Sequence, residues 1–91
     1  MYKLEISPAA DRDLGKLKGR IKRQDFERLR TAVDALAGVP RPEGVRKIKG
    51  ADRVYRIRVG NYRVVYEVCD KDSSIVILQL VRRSGTTYRQ Q

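Results

Sequence analysis

The sequence predicts an α+β fold: a small single domain in which an N-terminal strand and a helical hairpin precede an antiparallel sheet of three to four strands. Three observations predict it. Apolar residues alternate over 2–6, and strand-like runs return over 45–48, 53–59, 62–69 and 75–82. Between them, residues 8–37 carry apolar side chains at helical spacing. The 91 residues hold no repeat, low-complexity tract or linker, so one domain over 1–91 is expected. The order β-α-α-β-β-β-β puts the helical pair on one face of the sheet.

Each element has a local reason. Tyr2, Leu4 and Ile6 alternate with Lys3 and Glu5, the pattern of a half-buried strand. Ser7-Pro8 supplies a side-chain cap and a proline at the first helical position. Ala10, Leu14, Leu17 and Ile21 form the first helical stripe, and Gly19 marks the turn between helices. Phe26, Leu29, Val33 and Leu36 form the second, which ends at Gly38 ahead of Pro40 and Pro42. Gly60-Asn61 between two alternating runs is a two-residue hairpin signal.

That hairpin fixes a register. Val59 pairs with Tyr62, Ile57 with Val64 and Tyr55 with Tyr66, so one face is apolar throughout; a one-residue slip would break every pair. On the other face Arg58 opposes Arg63, and Arg56 opposes Val65. Like charges directly opposite destabilise a sheet by up to ~1 kcal/mol. Such a cluster gains nothing for a neutral structural protein, whereas arginine forks match phosphate oxygens bidentately. Glu67 offsets part of the charge by reaching Arg56 diagonally.

The charge of the whole chain agrees. Its 21 Lys+Arg against 11 Asp+Glu give +10 and a pI near 10.3, which points to a polyanionic partner. Residues 41–63 hold eight basic side chains (Arg41, Arg46, Lys47, Lys49, Arg53, Arg56, Arg58, Arg63) against Glu43 and Asp52. A further group, Arg82, Arg83 and Arg89, surrounds Tyr88, whose ring suits stacking on a base or proton transfer. Candidate nucleic-acid contacts are therefore Arg46, Lys47, Lys49, Arg53, Arg83 and Arg89.

Other chemistries lack their residues. Without His there is neither a histidine-pair ribonuclease nor a Ser-His-Asp triad, and no Cys/His set for zinc. Gly60 and Gly85 stand alone, so no glycine loop cradles phosphate. Asp11, Asp13, Asp25 and Glu27 read as surface charge on the helices. No cofactor or metal is expected. The lone Cys69 excludes an internal disulfide and reads as a small core or near-core residue. The N-terminus has no apolar signal core and no apolar run is long enough to span a membrane, so a cytoplasmic, membrane-free protein is expected.

Lys47-Ile48-Lys49-Gly50, then Val54-Tyr55-Arg56-Ile57-Arg58-Val59, then Asn61-Tyr62-Arg63-Val64-Val65-Tyr66-Glu67-Val68 resembles the RelE/ParE toxin superfamily, and the likeness covers nearly the whole chain. The resemblance implies a RelE-like, microbial-ribonuclease-like fold. It implies a toxin of a type II toxin–antitoxin system that cleaves messenger RNA in the ribosomal A site, with the RNA's own 2′-hydroxyl attacking the adjacent phosphate. The expected partners are a cognate antitoxin, the ribosome and mRNA. Family catalytic positions fall on Arg56, Arg58, Arg63, Arg82 and Tyr88. The three hairpin arginines would stabilise charge on phosphorus. Tyr88, near pKa 10 and lowered by adjacent guanidiniums, is the best base, because arginine does not release its proton. Some relatives carry lysines where this chain has Arg56 and Arg58, and many place a basic-and-acidic segment, often with His, just before the tyrosine. Strict alternation sets Arg82 beside Leu78 and Leu80, so a strand end or bulge must turn it, or Arg83 takes its place. A ParE-like inhibitor of DNA gyrase and a non-catalytic nucleic-acid-binding module are the alternatives.

Overall fold

The chain opens with β1 (Lys3–Ile6), whose extension ends at Ser7-Pro8 because proline removes the next donor of a ladder. Ser7 then caps α1 (Pro8–Lys18), its Oγ accepting from the Ala10 N–H at 3.1 Å. Gly19 closes α1, and α2 (Arg23–Ala35) follows after a short link. Beyond a loop come β2 (Arg46–Lys47), β3 (Val54–Val59), β4 (Tyr62–Cys69) and β5 (Ser74–Arg82). The computed structural model describes residues 1–82.

The strands form one five-stranded sheet in the order β1-β5-β4-β3-β2. This extends the expected antiparallel sheet of three to four strands: β1 joins the same sheet and runs parallel to β5, with Leu4 opposite Ile75 and Ile6 opposite Ile77. The helical pair intervenes in sequence between β1, on one edge, and β2, on the other. The β2–β3–β4–β5 succession then steps back across the sheet until β5 meets β1.

The core lies between helices and sheet. Ala10, Leu29 and Leu36 from the helical side meet Ile57, Val59, Tyr62, Val64, Tyr66, Val68, Ile75, Ile77 and Leu80 from the strands, all buried. Fully burying each large apolar side chain contributes about 1.5–3 kcal/mol, which is the main term holding the layers together. Tyr66 is the largest of the fully buried set; its hydroxyl donates to the Pro40 carbonyl at 2.7 Å, tying the α2–β2 loop to the core.

One irregularity sets the phase of β5. Val65 pairs with Gln79 but Tyr66 pairs with Ile77, so Leu78 is an extra residue, a β-bulge. The bulge lets Ile75, Ile77 and Leu80 all face the core, which strict alternation would forbid. It also falls where β1 has ended. There Ser7 Oγ donates to the Leu78 carbonyl at 3.4 Å, and Asp13 Oδ2 accepts from the Leu80 N–H at 3.0 Å. Asp13, expected as surface charge, is thus half-buried and completes the edge of β5. Cys69 also differs from expectation: it sits half-buried on the sheet's outer face, its Sγ 3.3 Å from Asp72 Oδ2.

Candidate nucleic-acid interface

The β3–β4 register is the one the hairpin motif dictates. Val59 pairs with Tyr62, Ile57 with Val64, Tyr55 with Tyr66, and on the reverse face Arg58 with Arg63 and Arg56 with Val65. Gly60 at φ 60° takes the first central position of the turn, the place a type II′ hairpin gives to glycine. Because the helices cover the other face, the arginines stand on the side of the sheet away from them.

The structure adds a fourth arginine. Arg46 of β2 lies directly opposite Arg56, so it shares their face. The outer face therefore carries two rows across the strands: Arg46, Arg56, Val65, Gln79, and then Arg58, Arg63, Val81. Arg46 and Arg58 are exposed, Arg56 and Arg63 half-buried. The next row away from the turn is Val54, Glu67, Val76 and Glu5, where basic charge gives way to acidic. Glu43, Gly44, Arg46, Arg56, Ile57 and Arg58 line a polar recess of about 470 Å³ beside β2. The sequence held one signal for the Arg46–Arg56 pairing: Ile48 and Val54, the apolar residues flanking the turn, whose Ile48 N–H to Val54 carbonyl bond closes it at 2.8 Å.

The other predicted residues divide. Arg82 pairs with Tyr62, on the Leu80 side of the sheet, and is exposed at the strand end; the bulge precedes Leu80, so it does not turn Arg82 to the arginine face. Val81 occupies the position opposite Arg63 instead. Lys47, opposite Tyr55, belongs to the reverse face from Arg46, and Lys49 lies in the turn before β3. Arg53, at φ 64°, points its guanidinium to Glu67 at 3.9 Å, so this acid partners Arg53 and not Arg56 in the ion pair formed. Arg83, Tyr88 and Arg89 lie outside the described residues.

Arg41, counted with the basic stretch, is committed elsewhere. Its Nη2 meets Asp70 Oδ2 at 2.6 Å, its Nε donates to the Tyr55 hydroxyl at 3.2 Å, and its guanidinium lies 5.4 Å from the Tyr55 ring centroid. Tyr2 donates to the other Asp70 oxygen at 2.6 Å. The Tyr2 and Arg41 hydrogen bonds hold the Asp70 carboxyl below its usual range, and the bond to Asp70 raises Tyr2. Burial pushes Tyr66 up to about 12.

Chemically, the outer face is a preorganised array of guanidiniums with fixed charge. It can hold phosphate and stabilise negative charge developing on it, but it does not move protons near neutral pH. Among the described residues, no His/Cys/Asp/Glu group has the make-up of a metal site, and no helix is long and apolar enough to cross a membrane.

The comparisons with known proteins fit this architecture. Residues 4–86 match the family described as ParE toxin of the type II toxin–antitoxin system parDE. A Methanocaldococcus jannaschii protein named as toxin RelE1 is 33% identical over 64 residues, which span 67% of this chain and 71% of that protein. In the archaeal RelE–RelB complex from Pyrococcus horikoshii OT3, one chain superposes with TM-score 0.75 at 30% identity, covering 92% of this chain and 97% of that one. The isolated E. coli RelE toxin shares the fold, with TM-score 0.73 and 22% identity over 99% of this chain and 94% of its own. The family match and the fold are those of a small toxin from a type II toxin–antitoxin system. Within that class, the chain belongs to the RelE/ParE toxin superfamily, on its RelE-type branch.

Proposed function

We propose that this toxin is a ribosome-dependent endoribonuclease that cuts messenger RNA in the A site. The observation that carries the reading is the face of Arg56, Arg58 and Arg63, held in register on the side of the sheet away from the helices, at a cost to the sheet of up to ~1 kcal/mol for an opposed like-charge pair. The RNA supplies its own nucleophile. The 2′-oxygen attacks the adjacent phosphorus, the bond to the 5′-oxygen breaks, and a 2′,3′-cyclic phosphate and a 5′-hydroxyl result. The arginines stabilise the charge on the pentavalent phosphorus, a role that elsewhere falls to metal ions. Tyr88 takes the proton from the 2′-hydroxyl, solvent supplies one to the leaving 5′-oxygen, and Arg83 is the candidate to stand by that oxygen, since Arg82 keeps to the Leu80 side of the sheet.

The partner that holds such a toxin inactive is an antitoxin. An apolar groove between the helices and the end of β5, lined by Ile6, Leu14, Phe26, Leu29, Val33 and Leu80 and flanked by Lys18, Arg30 and Asp34, with Arg30 3.9 Å from Asp34, suits the apolar face of an amphipathic segment. A RelB partner in the Pyrococcus horikoshii complex supports the same pairing.

Because the matching family is described by the ParE toxin, a second reading is kept: inhibition of DNA gyrase without RNA cleavage. Induction in bacteria lacking an antitoxin separates the two. Cuts within codons on a translated message, absent from its untranslated counterpart, are expected. Growth arrest with damaged DNA and both messages intact would transfer the assignment to gyrase, and harmless expression would favour a plain binding module.

A further inference from the structure

We propose that the recess beside β2 is a second phosphate site, holding the phosphodiester one nucleotide away from the one that is cut. This rests on the reading of the outer face as an RNA surface.

The outer-face arginines are two rows and not one cluster. Arg58 and Arg63 form the first, Arg46 and Arg56 the second. Two residues of β3 separate the rows, a distance of about 6.6 Å along a strand. Phosphodiesters recur along an extended single strand at comparable spacing, one per nucleotide. The track also has an end. The following row carries Glu67 and Glu5, and the nearby Arg53 is engaged by Glu67. Two phosphates fit this face; a third would meet carboxylates.

The backbone completes the second site. β2 contributes just Arg46 and Lys47 to the ladder, whereas β3 continues to Val59. The Ile48–Val54 bond shows that Val54 turns its backbone groups toward β2, and the two-residue alternation of an antiparallel ladder turns Arg56 and Arg58 the same way. Past Arg46 the chain departs through Gly44 at φ 88°, so the Arg58 N–H faces the recess beyond the last β2 pair. A phosphate there meets the Arg46 guanidinium and a backbone donor, the mixture that phosphate sites use, while Arg56, in the row of Arg46 and two residues from Arg58, is shared between it and the phosphate that is cut. Glu43 also lines the recess, but three guanidiniums against one carboxylate leave it cationic.

The test is binding of short RNAs blocked against cleavage by 2′-O-methyl groups, at low ionic strength. A dinucleotide carries one phosphodiester and a trinucleotide two. The wild-type chain should bind the trinucleotide more tightly, and Arg46→Gln should remove most of that advantage, about 3- to 10-fold, while sparing the dinucleotide. A methylphosphonate at one of the two linkages should have the same effect, with no further loss when combined with Arg46→Gln. The salt slope of trinucleotide binding should fall by about 0.7. Equal weakening of both RNAs by Arg46→Gln, or losses that simply add to those of the methylphosphonate, would overturn the second site while leaving the RNA face standing. If Arg63→Gln failed to weaken even the dinucleotide, the RNA reading of the whole face would fall with it.

Discussion

At the scale of residues, function and stability pull in opposite directions on the outer face. Arg58 is exposed and stands opposite Arg63, with Arg56 two residues away on the same face. Replacing Arg58 by Gln should raise stability by up to ~1 kcal/mol, read from urea unfolding, while lowering the cleavage rate about 100-fold. Tyr66 acts the other way, for the fold alone. Its buried ring sits 6.0 Å from that of Tyr55 and its hydroxyl bonds to Pro40. Since folding raises its pKa from 10 to about 12, its contribution is complete below pH 10 and is lost as pH rises through about 12. Tyr66→Phe should cost about 1 kcal/mol near neutrality for the lost hydrogen bond and flatten the alkaline limb of the stability profile. An unchanged alkaline limb would show that another group controls it.

At the scale of elements, the β5 bulge and its support by α1 decide where the sheet ends and what faces outward. Asp13→Ala leaves the Leu80 N–H without its acceptor and should destabilise the chain by about 1–2 kcal/mol, with faster hydrogen exchange at the Leu80 amide; Asp13→Asn, which keeps an acceptor, should cost less. The same element marks the limit of sequence reasoning. The β3–β4 hairpin was legible because Gly60-Asn61 and three apolar pairs agree on one register. The helical hairpin was legible from its stripes and from Ser7-Pro8. The bulge at Leu78 was not placed, because Ile75, Ile77, Leu78 and Leu80 are all apolar and a run of that kind has no phase to read. Past the bulge the alternation is regular, so Arg82 keeps the Leu80 side that alternation predicts, while Leu78 leaves it. The sequence places Arg46 only among the basic side chains of residues 41–63, since a two-residue strand carries no periodicity, and the parallel β1–β5 pairing is a long-range contact that neither strand announces alone.

At the scale of the whole molecule, a net charge of +10 is divided among tasks. Arg41 and Arg53 are spent on Asp70 and Glu67, which fasten the end of the sheet opposite the Gly60 turn, while Arg46, Arg56, Arg58 and Arg63 stand together on the outer face. An acidic partner that shields this face should lose affinity steeply as salt rises from 50 to 500 mM, mostly through slower association, as titration calorimetry and stopped-flow mixing would show. In the proposed reaction the RNA's own 2′-oxygen attacks a phosphate gripped by these arginines. The most direct measurement uses purified toxin and translating ribosomes stalled with a defined codon in the A site, comparing an all-ribose message with one carrying a single 2′-deoxynucleotide at the cut. Cleavage of the first to a 2′,3′-cyclic phosphate, no cleavage of the second, and a 100- to 1,000-fold slower cut by Arg63→Ala are the expected results. Cleavage of the 2′-deoxy message at a similar rate would contradict the account, since water or another nucleophile would then be doing the attack.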